Sequence, residues 1–183
     1  INERRHQLHE VIRLSGMNLV VNDMDMPLII KVASIPKERI QVYFIDNDEY
    51  FKRKATFSDE EGNLFPDNDE RAIFFAKGVV ETVKKLNWVP DVIHIHGWLA
   101  ALLPVYLKHY YKNEGIFADT KIVTSVYNLG FEGSLDSSMK EKKVESRGRN
   151  STAPQLATFS EAKNTHSINA SEFSFAAHVG FTP

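Results

Sequence analysis

Short apolar runs rich in valine and isoleucine recur along the first part of the chain, with turn residues between them. The separators are Ser15-Gly16, Asn22-Asp23 and Pro36-Lys37. This pattern is typical of strands joined by tight turns. It predicts strands at 8–14, 17–21, 28–35 and 40–45. Residues 47–67 are acidic and aromatic, and they predict a loop that contains one helical turn.

An amphipathic helix is predicted next, because apolar residues recur there at the i, i+3, i+4, i+7 spacing. Asp67 or Asn68 can cap its N-terminus, and Asp69 and Glu70 suit the positive end of the helix dipole. The residues of the apolar stripe are Ala72, Phe75, Ala76, Val79, Val80, Val83 and Leu86.

A strand at 91–96, a helix at 98–111 and a strand at 121–126 complete the pattern. A helical crossover between two strands implies that the strands are parallel neighbours. The predicted fold class is therefore α/β, with a Rossmann-like second half and antiparallel or mixed strands in the first half.

From about residue 138 the chain is rich in Ser, Thr, Asn and Ala and has few branched aliphatic residues. Such a segment buries too little apolar surface to offset its ordering entropy. We predict a folded domain at 1–137. Residues 138–183 are predicted to be a tail outside the folded unit, which is either disordered or poorly packed and unrelated to the domain. Limited proteolysis that spares 138–183 while cutting the loop at 55–66 would contradict this boundary.

Composition narrows the class of protein. Hydrophobic residues make up 43% of the chain and charged residues 25%, so a substantial core is possible. A net charge of −2 argues against a nucleic-acid surface, and no run reaches the ~18 apolar residues of a membrane span. The chain has no cysteine, which is compatible with a reducing, cytoplasmic compartment. Because no initiator Met is present, we expect the reading frame to begin upstream.

The most informative segment is Val-Pro-Asp-Val-Ile-His-Ile-His-Gly-Trp at 89–98. Strand alternation places His94 and His96 on one face, at a carboxyl edge where α/β proteins bind ligands. The two imidazoles could contact a polar ligand, serve as structural hydrogen-bonding groups, or hold a metal. No third ligand stands at a suitable spacing, so we expect no metal. Trp98 could contact the same polar ligand with its ring or belong to the core.

Four segments together resemble the catalytic N-terminal domain of bacterial glycogen synthases and plant starch synthases, glycosyltransferase family 5. They are residues 42–51, 65–81, 88–108 and 124–133, and the resemblance covers roughly 28–136. It implies one half of a two-domain (GT-B) enzyme that transfers glucose from ADP-glucose, with retention, to the non-reducing end of an α-1,4-glucan. ADP-glucose is then a substrate, and no cofactor is implied.

The resemblance also assigns substrate-binding positions. His96 and Trp98 match a His-Asp-Trp triplet, with Gly97 in place of the Asp. Asn128 matches the Asn of a Val-His-Asn triplet, with Tyr127 in place of the His. We expect His96, Trp98 and Asn128 to line one concave surface. No catalytic residue and no oligomeric state can be assigned.

Two functional hypotheses stay open at this point. The first is the glucan synthase itself, with this chain forming the acceptor-side wall. The second is a non-catalytic relative that binds glucan or a partner protein, since glycine has no carboxylate and a phenol carries no positive charge near pH 7. A third, a metal-dependent hydrolase, rests only on His94 and His96. Because a phosphate-binding loop and a second domain are absent from these residues, we expect the chain alone to show no glucan synthesis and weak, Trp98-dependent glucan binding.

Overall fold

The computed structural model describes residues 10–35, 40–125 and 179–180. Within these ranges the chain forms six strands, two separate α-helices, and a broken helical segment that contains a third, short α-helix. In chain order these elements are β1 (Glu10–Val21), β2 (Met24–Ser34), β3 (Ile40–Asp46), α1 (Asp48–Phe51), α2 (Asn68–Lys85), β4 (Val92–His96), α3 (Leu103–Val105), β5 (Lys121–Ser125) and β6 (Val179–Gly180).

The first three strands form an antiparallel sheet in the order β1-β2-β3. Asn22 and Asp23 connect β1 to β2, and both have positive φ, 49° and 60°. Two such residues make the turn whose twist matches that of a hairpin. The predicted turn is therefore confirmed. Of the two arrangements predicted for the first half, antiparallel or mixed, the described strands have the antiparallel one.

The prediction of two separate strands at 8–14 and 17–21 is wrong. One strand, β1, runs through Ser15 and Gly16, and residues 8–9 lie outside the described part. Leu14 pairs with Ile30 and Met17 with Leu28, so β1 has one residue more than β2 across this interval. Gly16 accommodates this bulge with φ of +84°. A glycine that reads as a turn in sequence thus kinks a continuous strand.

Helix α2 is the central element of the core. It confirms the predicted helix, but its buried surface differs from the predicted stripe, in which Leu86 is exposed. Ile73 and Phe74 are almost fully buried although neither belongs to the stripe. The reason is that α2 contacts the antiparallel sheet and also the helical segment that follows β4. A helix covered on two sides buries more than one stripe.

Strands β4 and β5 are parallel, as predicted, with Val92 opposite Lys121 and His96 opposite Ser125. The single helix predicted at 98–111 is wrong in detail. A 3-10 turn at Trp98–Ala100 precedes α3, and a π-helical turn follows at Tyr106–Tyr110. Pro104 explains the break: it lacks an N–H and fits only the first turn of a helix, so a new helical turn begins beside it.

The predicted boundary at 137/138 lies outside the described residues and stays a prediction. Beyond Ser125 the structure describes only β6, where Val179 and Gly180 pair antiparallel with Gln41 and Ile40. None of the helices in the described ranges is long and apolar enough to cross a membrane.

Candidate functional site

The carboxyl end of β4 brings two imidazoles together. The ring centroids of His94 and His96 are 4.0 Å apart, with 44° between the ring planes. His94 is exposed and His96 half-buried, whereas Ile95 between them is buried on the opposite face. The predicted alternation is confirmed, and the polar face of β4 is the one open to a ligand.

His94 is held by the neighbouring strand. Its Nε2 lies 2.8 Å from Ser125 Oγ, a hydrogen bond in which the ring tautomer decides which atom donates. The parallel register puts Ser125 directly opposite His96, so both histidines and the serine share one face. Sequence reasoning missed Ser125, although its position at the carboxyl end of the strand expected beside β4 was a usable signal.

Gly97 ends β4 and turns the chain into the 3-10 turn. It is buried, with φ of 89° and ψ of 165°. This region of backbone space is essentially restricted to glycine. Gly97 therefore sets the direction in which Trp98 leaves the strand.

Trp98 is only 8% exposed. Its ring meets the ring of Phe57 edge-on, with centroids 5.7 Å apart and 63° between planes. The indole Nε1 is buried and finds no hydrogen-bond partner among the described residues. Most of the indole thus packs as core, and little of its face is available for stacking on a sugar.

Tyr127 and Asn128 lie outside the described residues. Ser125 is the last described residue of β5 and lies two positions before Tyr127. The parallel register of β4 and β5 places their carboxyl ends at one edge, which is the condition that a shared crevice requires. The concave surface of His96, Trp98 and Asn128 stays a prediction.

The start of α2 differs from its predicted capping. Asp67 occupies the N-cap position, but its side chain makes no capping hydrogen bond. Its carboxylate instead accepts from Arg53 Nη1 at 2.8 Å. This ion pair raises the pKa of Arg53, mainly through the hydrogen bond to Asp67. Asp67 therefore ties the preceding loop to the helix.

Arg71, in the first turn of α2, directs its hydrogen bonds to uncharged groups inside the protein. It is 3% exposed and donates from Nε to the carbonyl of Tyr50 at 2.9 Å and from Nη1 to Asn68 Oδ1 at 2.6 Å. Burial lowers the pKa of its guanidinium. These two hydrogen bonds connect α1, through Tyr50, to the start of α2, through Asn68.

Among acidic residues near strand ends, Asp46 pairs with Lys31 at 2.7 Å and Asp48 with Lys52 at 3.0 Å. Lys52 lowers the pKa of Asp48, chiefly by a hydrogen bond. Over the described ranges no three His, Cys, Asp or Glu residues come together in a way that could hold a metal ion.

Comparison with known proteins supplies the family. The model of the starch synthase catalytic domain matches residues 1–177. The chain belongs to this family. The resemblance drawn from the motifs is confirmed, and the family match extends past the residues 28–136 that carried it.

Several curated relatives are glycogen synthases from species of Chlorobium and Chlorobaculum. That of Chlorobium limicola is 43% identical over 136 residues, covering 74% of this chain and 28% of the relative. That of Chlorobium luteolum is 40% identical over 143 residues, with 78% and 29% covered. That of Chlorobaculum tepidum is 38% identical over 146 residues, with 79% and 30% covered. The chain thus spans less than a third of the length of these relatives.

Proposed function

We propose that this chain forms the acceptor-side half of a GT-B glycosyltransferase that transfers glucose from ADP-glucose to the non-reducing end of an α-1,4-glucan. The main support is similarity to glycogen synthases at about two-fifths identity, over a segment that contains the His96-Gly97-Trp98 edge. A cytoplasmic location belongs to the same proposal, since a cysteine-free chain suits a reducing compartment.

In this proposal His96 is the group that meets the sugar. It is half-buried at the carboxyl end of β4, beside the exposed His94. Imidazole nitrogens can donate to or accept from sugar hydroxyls. Gly97, Trp98, Tyr127 and Asn128 complete the proposed binding wall. Such a wall acts by positioning the acceptor, and the groups that stabilise the leaving diphosphate are proposed to come from elsewhere in the protein.

A second candidate is a relative that binds glucan without catalysis. The observation that favours it is Gly97, which has no carboxylate and stands in a backbone conformation suited to glycine. The same edge would then contact sugar, but no transfer would follow.

The proposal is tested with the purified 183-residue chain and with protein from the complete reading frame. The chain should be retarded in native gels that contain glycogen, and His96→Ala should reduce the retardation. His109→Ala is the matched control, because His109 is an exposed histidine of the π-helical turn. Retardation that is equal for all three proteins would contradict a sugar-contacting role of His96.

Radiolabelled ADP-glucose separates the two candidates. We expect no incorporation into glycogen by the chain alone and clear incorporation by the complete protein. Incorporation by the chain above its His96→Ala variant would contradict the half-site model. A complete protein that is retarded by glycogen yet incorporates no label would favour the non-catalytic relative.

A further inference from the structure

The loop between α1 and α2, residues 52–67, folds back on the start of α2. Arg53 pairs with Asp67, and its guanidinium lies 4.6 Å above the centre of the Phe65 ring. An isolated bridge joins Ser58 and Leu64, so the middle of the loop closes on itself. Although the loop has little regular structure, the Arg53–Asp67 pair joins its two ends.

Asn68 links this loop to the helix. Its Nδ2 donates to the carbonyl of Phe57 at 2.9 Å, and its Oδ1 accepts from Arg71 Nη1 at 2.6 Å. The Phe57 carbonyl also accepts from the backbone N–H of Phe65 at 2.9 Å. Arg71 in turn is fixed by the carbonyl of Tyr50. The main chain at Phe57 is therefore held by two donors, one of which is oriented by a buried arginine.

Phe57 is the residue of this loop whose ring meets Trp98. Since the indole Nε1 has no hydrogen-bond partner within the described ranges, packing sets the orientation of the ring there. Only Gly97 separates Trp98 from His96 along the chain. A shift of the Phe57 ring would thus be felt at the edge where the proposed sugar site lies.

We propose that Asn68 and Arg71 are positioning residues, which fix Trp98 through Phe57 and so shape the His96-Gly97-Trp98 edge. Asn68 holds the loop by its donor to the Phe57 carbonyl, and Arg71 holds Asn68 in the required rotamer. The link from Asn68 to Trp98 stands on geometry alone. Its consequence for glucan binding rests on the proposed function.

Asn68→Asp is the informative variant. A carboxylate still accepts from Arg71 and is favourable in the first turn of α2, but it cannot donate to the Phe57 carbonyl. The variant is made in a Trp88→Phe background, so that Trp98 is the only tryptophan. Lys54→Ala is the control, because it removes an exposed lysine of the same loop whose only described ion pair, to Glu60, is also exposed.

Acrylamide quenching of Trp98 fluorescence is the main measurement. Asn68→Asp should raise the quenching constant at least about twofold and shift the emission to longer wavelength, because a loosened aromatic contact exposes the indole. Phe57→Leu should do the same, and Lys54→Ala should leave both quantities unchanged. Unchanged quenching in Asn68→Asp would overturn the proposal. So would loss of the helical circular dichroism signal, since Asn68 would then hold the helix and not the loop.

Glycogen retardation of the same variants separates this inference from the proposed function. Raised quenching with weaker retardation supports both. Quenching could rise in Asn68→Asp and Phe57→Leu while glycogen retardation stays unchanged in both and also in Trp98→Phe. That result supports the positioning of Trp98 and contradicts its part in sugar binding. Unchanged quenching contradicts the positioning, whatever the retardation.

Discussion

Gly97 shows how a single residue can determine the geometry of the candidate site. It stands where the chain leaves a strand for a helical turn, with φ of 89° and ψ of 165°. For any residue other than glycine, this backbone conformation costs about 1–3 kcal/mol. The glycine at position 97 is therefore coupled to the local backbone conformation.

At this scale we predict that Gly97→Ala lowers the free energy of unfolding by about 1–3 kcal/mol, because the backbone must keep its conformation or shift Trp98. Urea unfolding followed by circular dichroism measures the change. Gly115→Ala is the control: Gly115 is not among the positive-φ glycines, and an added Cβ meets nothing within 4 Å. A loss no larger than that of the control would show that the turn at 97 tolerates side chains.

At the scale of elements, the packing of α2 on the antiparallel sheet depends on a missing side chain. A Cβ added at Gly78 would lie 2.7 Å from Ile45 Cγ2 and 3.3 Å from Leu28 Cδ1. The helix therefore approaches β2 and β3 more closely than alanine would allow. Alanine is nevertheless preferred to glycine inside a helix by about 1 kcal/mol, so the two effects oppose each other.

We predict that Gly78→Ala destabilises the protein despite its better helix propensity, by about 1–3 kcal/mol for an overpacked core site. Ile45→Ala, which removes the opposing Cγ2, should be partly rescued by Gly78→Ala. A double-mutant cycle with urea unfolding should give a favourable coupling of about 0.5–3 kcal/mol. A more stable Gly78→Ala protein, or strict additivity, would contradict close packing at this point.

At the scale of the whole molecule, buried phenols link stability to alkaline pH. Burial is the main cause that raises the pKa of Tyr50, Tyr106 and Tyr111 well above 10. Tyr50 and Tyr111 also donate to Glu70 and Glu81, which raises their pKa further. Above pH 10 the unfolded chain has lost these protons while the folded chain retains them, so stability falls as the pH rises.

We predict that the folded protein shows only part of its tyrosinate absorbance at 295 nm between pH 10 and 11, and that the rest develops together with unfolding. In urea all six tyrosines should titrate near pH 10. Tyr106→Phe should reduce the delayed part by one tyrosine and cost little stability, since its hydroxyl has no partner in the part of the chain described. Simultaneous titration of all six in the folded protein would contradict this burial.

Much of the fold follows from local pattern. The apolar period of α2, the Asn22-Asp23 turn and the βαβ arrangement of β4 and β5 are all legible in the sequence, because each depends on residue spacing within one element. His94 and His96 on one face follow from strand alternation for the same reason. The family, too, can be read from the motifs, since they lie in order along the chain.

Tertiary structure decided what spacing leaves undetermined. Ser15-Gly16 became a bulge because β2 offers a continuous partner, and Ile73 and Phe74 are buried because α2 is covered on two sides. Phe57 meets Trp98, and Asn68 holds Phe57, through contacts between residues more than ten positions apart. Local propensity acts over a few residues, whereas these contacts depend on how separate elements pack, and only the folded chain brings them together.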